Sequence, residues 1–314
     1  MKLPLFSIIT AFLTVVMVAA AHDAALAPEI YWKSKLPSTR MPELLKYLLH
    51  PTGGGTNNHG VGGMDEMPDI SQVVYPKNGY KVYRYDHADK GIPRHNSTNG
   101  TVFFLEKDLK AGHKMNLLFT HIYSHASFLP RQVAKSFPFS STKMAEILNK
   151  LAAKHGSVYA KAIKTTIEIC EDPGIKGEEK YCATSLESMV DFVTLKLGKN
   201  VNALSVEGMK EETKQVEEYT ILHGMKKVGE TQVVCHKLYY AYAVFLCHKI
   251  QNTVAYTVPL EGADGSRMKA LCVCHKDTST WNPKHVSFQL LKVKPGTVPV
   301  CHFLSRSTVM WVPK

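Results

Sequence analysis

Val233-Val234-Cys235-His236-Lys237-Leu238-Tyr239-Tyr240-Ala241-Tyr242-Ala243-Val244-Phe245-Leu246-Cys247-His248 holds two Cys-His steps with ten residues between them. Two further steps, Cys274-His275 and Cys301-His302, each follow an interval of 25 residues. Chance rarely gives four such steps among 7 cysteines and 15 histidines. On a strand, neighbouring side chains point to opposite faces. Each step therefore sends a sulfur into a core or a disulfide while its imidazole faces a pocket, a rim or a metal.

The surrounding sequence reads as strands. Val233 to Leu246 alternates in part, with Tyr239, Tyr240 and Tyr242 as candidates for cross-strand packing. Thr253 to Leu260 leads into the turn Glu261-Gly262-Ala263-Asp264-Gly265, and Met268 to Cys274 forms another strand. His285 to Val293 is β-like, and Pro295-Gly296 is a turn. Upstream, Lys114 to Phe119 reads as a strand. Two helices follow, one capped by Ser141 or Thr142 with Met144, Ile147, Leu148 and Leu151 on its apolar face, the other opening at Ser185. The class is mainly β with α-helical elements in the first half, an α+β fold. Cys170 and Cys182 enclose Pro173, Gly174 and Gly177, a loop suited to a local disulfide worth about 2–4 kcal/mol. Cys235 and Cys247 are spaced for adjacent strands of a hairpin, with their pairing left open. With seven cysteines at least one is unpaired, and Cys272 stands outside the Cys-His series.

Leu3 to Ala21 is apolar apart from Ser7, Thr10 and Thr14, and ends in small residues that suit cleavage. Residues 1–21 read as a secretory signal. Residues 22–100 form a short N-terminal segment and a glycine-rich linker (51–63), with a helix predicted over 43–49 behind Pro42. Residues 101–314 are long enough for one sizeable core. No later stretch is apolar enough for a stable membrane span after signal removal. Behind a signal, Asn96-Ser97-Thr98 and Asn99-Gly100-Thr101 are glycosylation acceptors at Asn96 and Asn99. The net charge of +11 draws the chain to acidic partners, either acidic cell-wall polysaccharide or an anionic membrane surface, with wall proteins as a further class of partner. Export and the lack of a recognised motif argue against nucleic acid.

Imidazole nitrogen binds copper or zinc, and an oxidising compartment that commits the cysteines to disulfides tilts the choice to copper. Asp277 and His285 lie between the third and fourth steps as further ligands or orienting groups. The competing reading is plain packing, with each histidine at the surface or bonded to backbone. There is no G-x-S-x-G elbow, no H-E-x-x-H helix and no P-loop lysine after Gly53-Gly54-Gly55. An enzyme reading thus favours metal or redox chemistry over acid–base hydrolysis.

The Cys-His series closely resembles that of the plant BURP-domain family, whose hallmark is four such steps with a short first interval and two long ones. Phe103-Phe104-Leu105-Glu106-Lys107-Asp108-Leu109, Phe128-Leu129-Pro130-Arg131, Cys182-Ala183-Thr184-Ser185-Leu186-Glu187-Ser188-Met189, Trp281-Asn282-Pro283 and Lys294-Pro295-Gly296 also match. The resemblance covers about residues 101–314, and Pro28-Glu29-Ile30-Tyr31-Trp32 with Leu36-Pro37 looks like the entry segment of the seed, embryo and dehydration-responsive branches. It implies a secreted protein of the apoplast or cell wall, with the vacuole as a second destination, acting in development or stress. By position it implies copper at His236, His248, His275 and His302, support from Asp277 and His285, and a framework of Cys170, Cys182, Cys235, Cys247, Cys274 and Cys301. Two branches are more specialised: the noncatalytic β subunit associated with polygalacturonase, and copper-dependent autocatalytic cyclases that crosslink tyrosine or tryptophan side chains. This chain has neither a long aromatic-glycine array nor a repeated core peptide in 22–100. A structural or regulatory wall protein ranks first, a cyclase using Tyr31-Trp32 or the Tyr80, Tyr83, Tyr85 cluster second, and a metal-sequestering storage protein third.

Overall fold

The computed structural model describes residues 27–50, 76–77, 81–82, 100–119, 126–208 and 216–314. The leader, the stretch 51–63, Tyr80, Tyr83, Tyr85, Asn96 and Asn99 lie outside the described residues. Helices α1 (Pro28–Lys35) and α2 (Glu43–Leu49) come first, then the strand pair β1 (Pro76–Lys77) and β2 (Lys81–Val82). Next are β3 (Phe104–Leu105), β4 (Lys114–Leu117), α3 (Arg131–Ser136), α4 (Met144–Lys150), α5 (Val158–Glu171), β5 (Glu178–Ala183) and α6 (Leu186–Leu197). Strands β6 (Val201–Leu204), β7 (Glu217–Ile221), β8 (Lys226–Gly229), β9 (Val233–Leu238), β10 (Val244–Ile250), β11 (Thr253–Gly262) and β12 (Arg267–His275) follow. After the short helix α7 (Val286–Leu291), β13 (Val300–Phe303) and β14 (Thr308–Pro313) complete the α+β fold, helices mostly early and sheets late.

Two antiparallel sheets organise the strands. One has the order β5-β10-β9-β14-β6, the other β3-β13-β12-β11-β7-β4 with β8 paired to β11. The period of two sorts the side chains into layers. On the outer face of the first sheet, Cys235, Phe245, Cys247, Val309 and Trp311 meet Leu186, Met189, Val190 and Val193 of α6. From its inner face, Val234, Met310 and Val312 pack against Ala255, Leu271, Val273 and Leu304, which joins the two sheets. The far face of the second sheet buries Cys272, Cys274 and Cys301 with Phe104, Met115 and Tyr219.

The disulfides are Cys170–Cys182, Cys235–Cys247 and Cys274–Cys301, and Cys272 is a buried free thiol. Cys235 lies directly opposite Cys247 in the β9–β10 ladder, and Cys274 opposite Cys301 in the β12–β13 ladder. Both bridges thus cross between paired strands, with Cα atoms 3.9 and 4.0 Å apart.

Several local expectations change. Helix α5 stands where no element was predicted. Its β-branched residues lower helix propensity, but Ser157 caps it by accepting from the Ala160 amide, and Ala160, Ile163 and Ile167 form one buried stripe. The β-like run from His285 contains α7 instead. The His285 ring accepts from the Ser287 amide as a cap, and Lys292 in the left-handed region ends the helix. Tyr240 and Tyr242 lie in the β9–β10 connection, where Phe137 and Phe139 pack on their rings, so cross-strand packing is not their role. Ser185 forms a capping box with Ser188, as the start of the second predicted helix requires.

Replacing Cys274 and Cys301 together by alanine removes the crosslink with the longest loop, 27 residues in sequence. Chain-entropy reasoning sets the loss at about 3 kcal/mol. Urea unfolding of the double variant against the parent measures it, and a midpoint unchanged within error would show that the bridge does not brace the fold.

Candidate functional site: paired imidazoles and an arginine-lined cleft

Because each cysteine of the four steps faces an outer core, each imidazole faces the layer between the sheets. His236 and His248 belong to the first sheet, His275 and His302 to the second. The first pair is bonded directly, with Nε2 atoms 3.2 Å apart. One tautomer assignment satisfies every contact of this pair. His248 Nδ1–H donates to Glu178 Oε1 at 2.6 Å, His236 Nε2–H donates to His248 Nε2, and the Thr308 hydroxyl donates to His236 Nδ1 at 3.3 Å. The second pair stacks, with ring centroids 5.6 Å apart and planes 18° from parallel. His275 Nδ1 contacts Thr253 Oγ1 at 3.2 Å, and His302 Nδ1 donates to the Phe303 carbonyl at 3.2 Å. Trp281 lies against His275 and Phe103 against His302, closing the layer with aromatic rings.

Burial lowers the pKa of His236 and His275, and repulsion from neighbouring imidazoles adds to it. His302 falls to about 4, again chiefly through burial, although its bond to the Phe303 carbonyl acts in the other direction. For Glu178, burial acts to raise the pKa, but the hydrogen bonds it accepts from His248 and the Ile175 amide hold it below the usual carboxylate value.

The copper expectation is corrected by this geometry. Among the described residues, no group of three or more His, Cys, Asp or Glu side chains is placed to hold a metal ion. The reason lies in the hydrogen bonds: both nitrogens of His236 and of His248 are already engaged, and the six framework sulfurs are consumed in disulfides. The supporting residues have other tasks. Asp277 is exposed and accepts from the Ser279 amide in a turn, while His285 caps α7 and packs on Trp281 at 4.8 Å. The cyclase reading falls with the metal. Its candidate substrate pair is also out of reach, since Tyr31 and Trp32 are each 3% exposed in the core.

A second site was not legible in the motifs. A cleft of about 500 Å³ lies between residues 40–47 and the stretch 203–208, with Arg306 from the β13–β14 turn on its wall. Arg40, Arg306, Glu43, Glu207, Tyr47 and Ser205 supply its polar groups, and Met41, Leu44 and Val206 its apolar ones. Both carboxylates have lysine partners: Glu43 with Lys46 at 2.7 Å, and Glu207 with Lys269. Arg40 also reaches Glu43, at 3.5 Å. Arg306 has no ion-pair partner among the described residues. Gly208 holds a positive φ of 87° beside the Arg267 carbonyl, where a Cβ would stand only 2.9 Å from that oxygen, so the cleft floor admits no side chain there. The sequence did offer one unread signal: residues 278–314 contain Lys284, Lys292, Lys294, Arg306 and Lys314 and no acidic residue.

The imidazole layer makes stability depend on pH. His302 is neutral in the fold and titrates near 4, whereas an unfolded imidazole titrates near 6.5. The unfolded chain therefore binds more protons between those values, so this stability is fully present above about 6.5 and is lost as pH falls toward 4. A thermal-midpoint series from pH 8 to 4 should decline across that window, with a shallower slope for His302→Gln. Equal slopes for the two proteins would remove His302 from the effect.

The BURP domain model matches residues 102–313. "BURP domain protein RD22" of Arabidopsis thaliana is 48% identical over 240 residues, which is 75% of this chain and 61% of that protein. "BURP domain-containing protein 5" of Oryza sativa subsp. japonica is 42% identical over 293 residues, covering 92% of this chain and 87% of the relative. "Protein RAFTIN 1B" of Triticum aestivum is 31% identical over 331 residues, with 92% and 91% covered. The chain thus spans about three-fifths of the Arabidopsis relative and most of the other two. With its four Cys-His steps set on disulfide-linked strand pairs and the family match running through both sheets, the chain belongs to the plant BURP-domain family.

Proposed function

We propose that this BURP-domain protein is exported and binds acidic polysaccharide of the plant cell wall through the cleft between Arg40 and Arg306. The observation that carries the reading is the Arg306 guanidinium, which lines a sugar-sized cleft and has no ion-pair partner among the described residues, in a chain of net charge +11. Guanidinium groups pair with carboxylates in a forked geometry that lysine lacks, so a uronate suits this wall better than a neutral sugar. Tyr47, 38% exposed at the rim, offers an aromatic face to the apolar side of a sugar ring, and Ser205 offers a hydroxyl. The cleft volume falls in the usual range for ligand sites, about 300–1,000 Å³. Surrounding positive charge steers a polyanion toward the site and weakens with salt.

Export is supported by the apolar leader and by three disulfides, which persist outside the cytosol. Among the described residues, no helix is long and apolar enough to cross a membrane. This combination favours the wall space as the place of action.

The expected result is retention on immobilised polygalacturonate that falls with rising ionic strength, with no retention on a neutral glucan. Arg306→Ala should weaken binding of an oligogalacturonate about tenfold, the loss of one hydrogen-bonded charge, while leaving the thermal midpoint unchanged. A parent protein that flows through the polygalacturonate column at low salt would sink the reading.

A further inference from the structure

The family match begins at residue 102, yet residues 27–50 are built into the core of the first sheet. Tyr31, Trp32, Leu36, Leu45 and Leu48 are each at most 3% exposed and pack in the same cluster as α6, β9, β10 and β14. Trp32 meets Trp311 with ring centroids 5.3 Å apart. Hydrogen bonds also cross the seam. The Thr39 hydroxyl donates to the Val201 carbonyl at 2.6 Å, and the Phe128 amide donates to the Leu48 carbonyl at 2.9 Å. Lys314 Nζ donates to the Ser38 carbonyl at 2.7 Å, tying the last strand to the α1–α2 connection.

One three-residue clamp gives this seam selectivity. The Tyr31 hydroxyl donates to Asp191 Oδ1, and Arg131 donates to Asp191 Oδ2 at 2.7 Å. The Arg131 guanidinium also lies over the Tyr31 ring, 4.9 Å from its centroid. Arg131 is thus held by a carboxylate and a ring that come from opposite sides of the seam. Trp32 adds a second discriminating contact, since its indole N–H donates to the Thr39 carbonyl at 3.0 Å and leaves the ring face free for Trp311. A phenol followed by an indole is therefore specified by shape, by hydrogen bonds and by cation–π attraction together.

We propose that residues 100–314 carry a peptide-receiving groove on the α6 side of the first sheet, and that residues 27–50 of the same chain are its resident peptide. The segment stays seated through non-covalent contacts alone, so a chain cut between residues 50 and 100 keeps it. The groove selects the Tyr31-Trp32 pair and not merely an amphipathic helix. Seating of the segment requires no polysaccharide, although residues 40–47 also form one wall of the cleft, and it extends the folding unit beyond the stretch that the family match covers.

The test uses the full chain with a protease site replacing residues 58–63. After cleavage, gel filtration at micromolar concentration in non-denaturing buffer should show the two pieces eluting together. A fluorescent 27–50 peptide should exchange slowly into the cut protein. Tyr31→Phe in that peptide keeps the ring and loses only the bond to Asp191, and it should bind several-fold more weakly. Trp32→Ala should bind at least tenfold more weakly. Because both changes are made in the peptide, the folding of the receiving piece is untouched. Separation of the parental pieces at micromolar concentration, or equal affinity for the parental and Trp32→Ala peptides, would overturn the proposal.

Discussion

Two cysteines directly opposite each other on antiparallel strands, once in each sheet, are the constraint on which this molecule turns. A strand admits no register intermediate between its two faces, and a slip of one residue would carry every side chain to the wrong side. The Cys235–Cys247 and Cys274–Cys301 bridges forbid that slip. With sulfur fixed on the outer faces, His236, His248, His275 and His302 have no place to go but the layer between the sheets. The same alternation puts Val234, Leu271, Val273 and Leu304 into that layer, so its apolar packing and its imidazoles form one continuous contact.

Gathering imidazoles is a different matter from pointing their lone pairs at one centre. Backbone alternation decides the first, and the hydrogen-bond partner of each ring nitrogen decides the second. Here Glu178 on β5 and Thr308 on β14 flank the His236–His248 pair and commit all four of its nitrogens. Neither residue is adjacent in sequence to a Cys-His step. The His236–His248 pair is a polar seam that is internally satisfied, and the low pKa values of His275 and His302 follow chiefly from enclosure, with repulsion from neighbouring imidazoles adding to it.

Legibility followed the range of the interactions involved. The Cys170–Cys182 staple, the Ser185 cap and the turn at Gly262–Gly265 rest on neighbours within a dozen residues, and each could be read from the chain. The Cys-His spacing was legible because covalent adjacency and the strand period act together. Helix α5 was not, because Ile163, Thr166 and Ile167 are poor helix formers whose conformation is set by burial against Leu238, Tyr240 and Leu246. Helix α1 was hidden for a similar reason. Its Tyr31 and Trp32 read as a candidate cyclase substrate, whereas partners some 160 and 280 residues away, Asp191 and Trp311, make them core. The arginine-lined cleft draws on residues near 40, 205 and 306, and no local pattern announces such a meeting.

The docked segment and the cleft are physically one arrangement. Arg40, Glu43, Leu44 and Tyr47, which form one wall of the cleft, all belong to residues 27–50, while opposite them Ala203 lies on β6, Glu207 follows that strand and Arg306 sits in the β13–β14 turn. Leu45 and Leu48 face the core from the same helix, α2, that turns Tyr47 toward solvent. Helical period makes the two faces inseparable: whatever seats the leucines also sets the ring at the rim. The Arg40 to Arg306 spacing is therefore fixed by the packing of Trp32 on Trp311 and by the Lys314–Ser38 tie, not by the strands alone. The cleft is thereby assembled from a segment outside the 102–313 match and a turn inside it. A BURP domain that lacked this segment would present only the Arg306 side of the cleft.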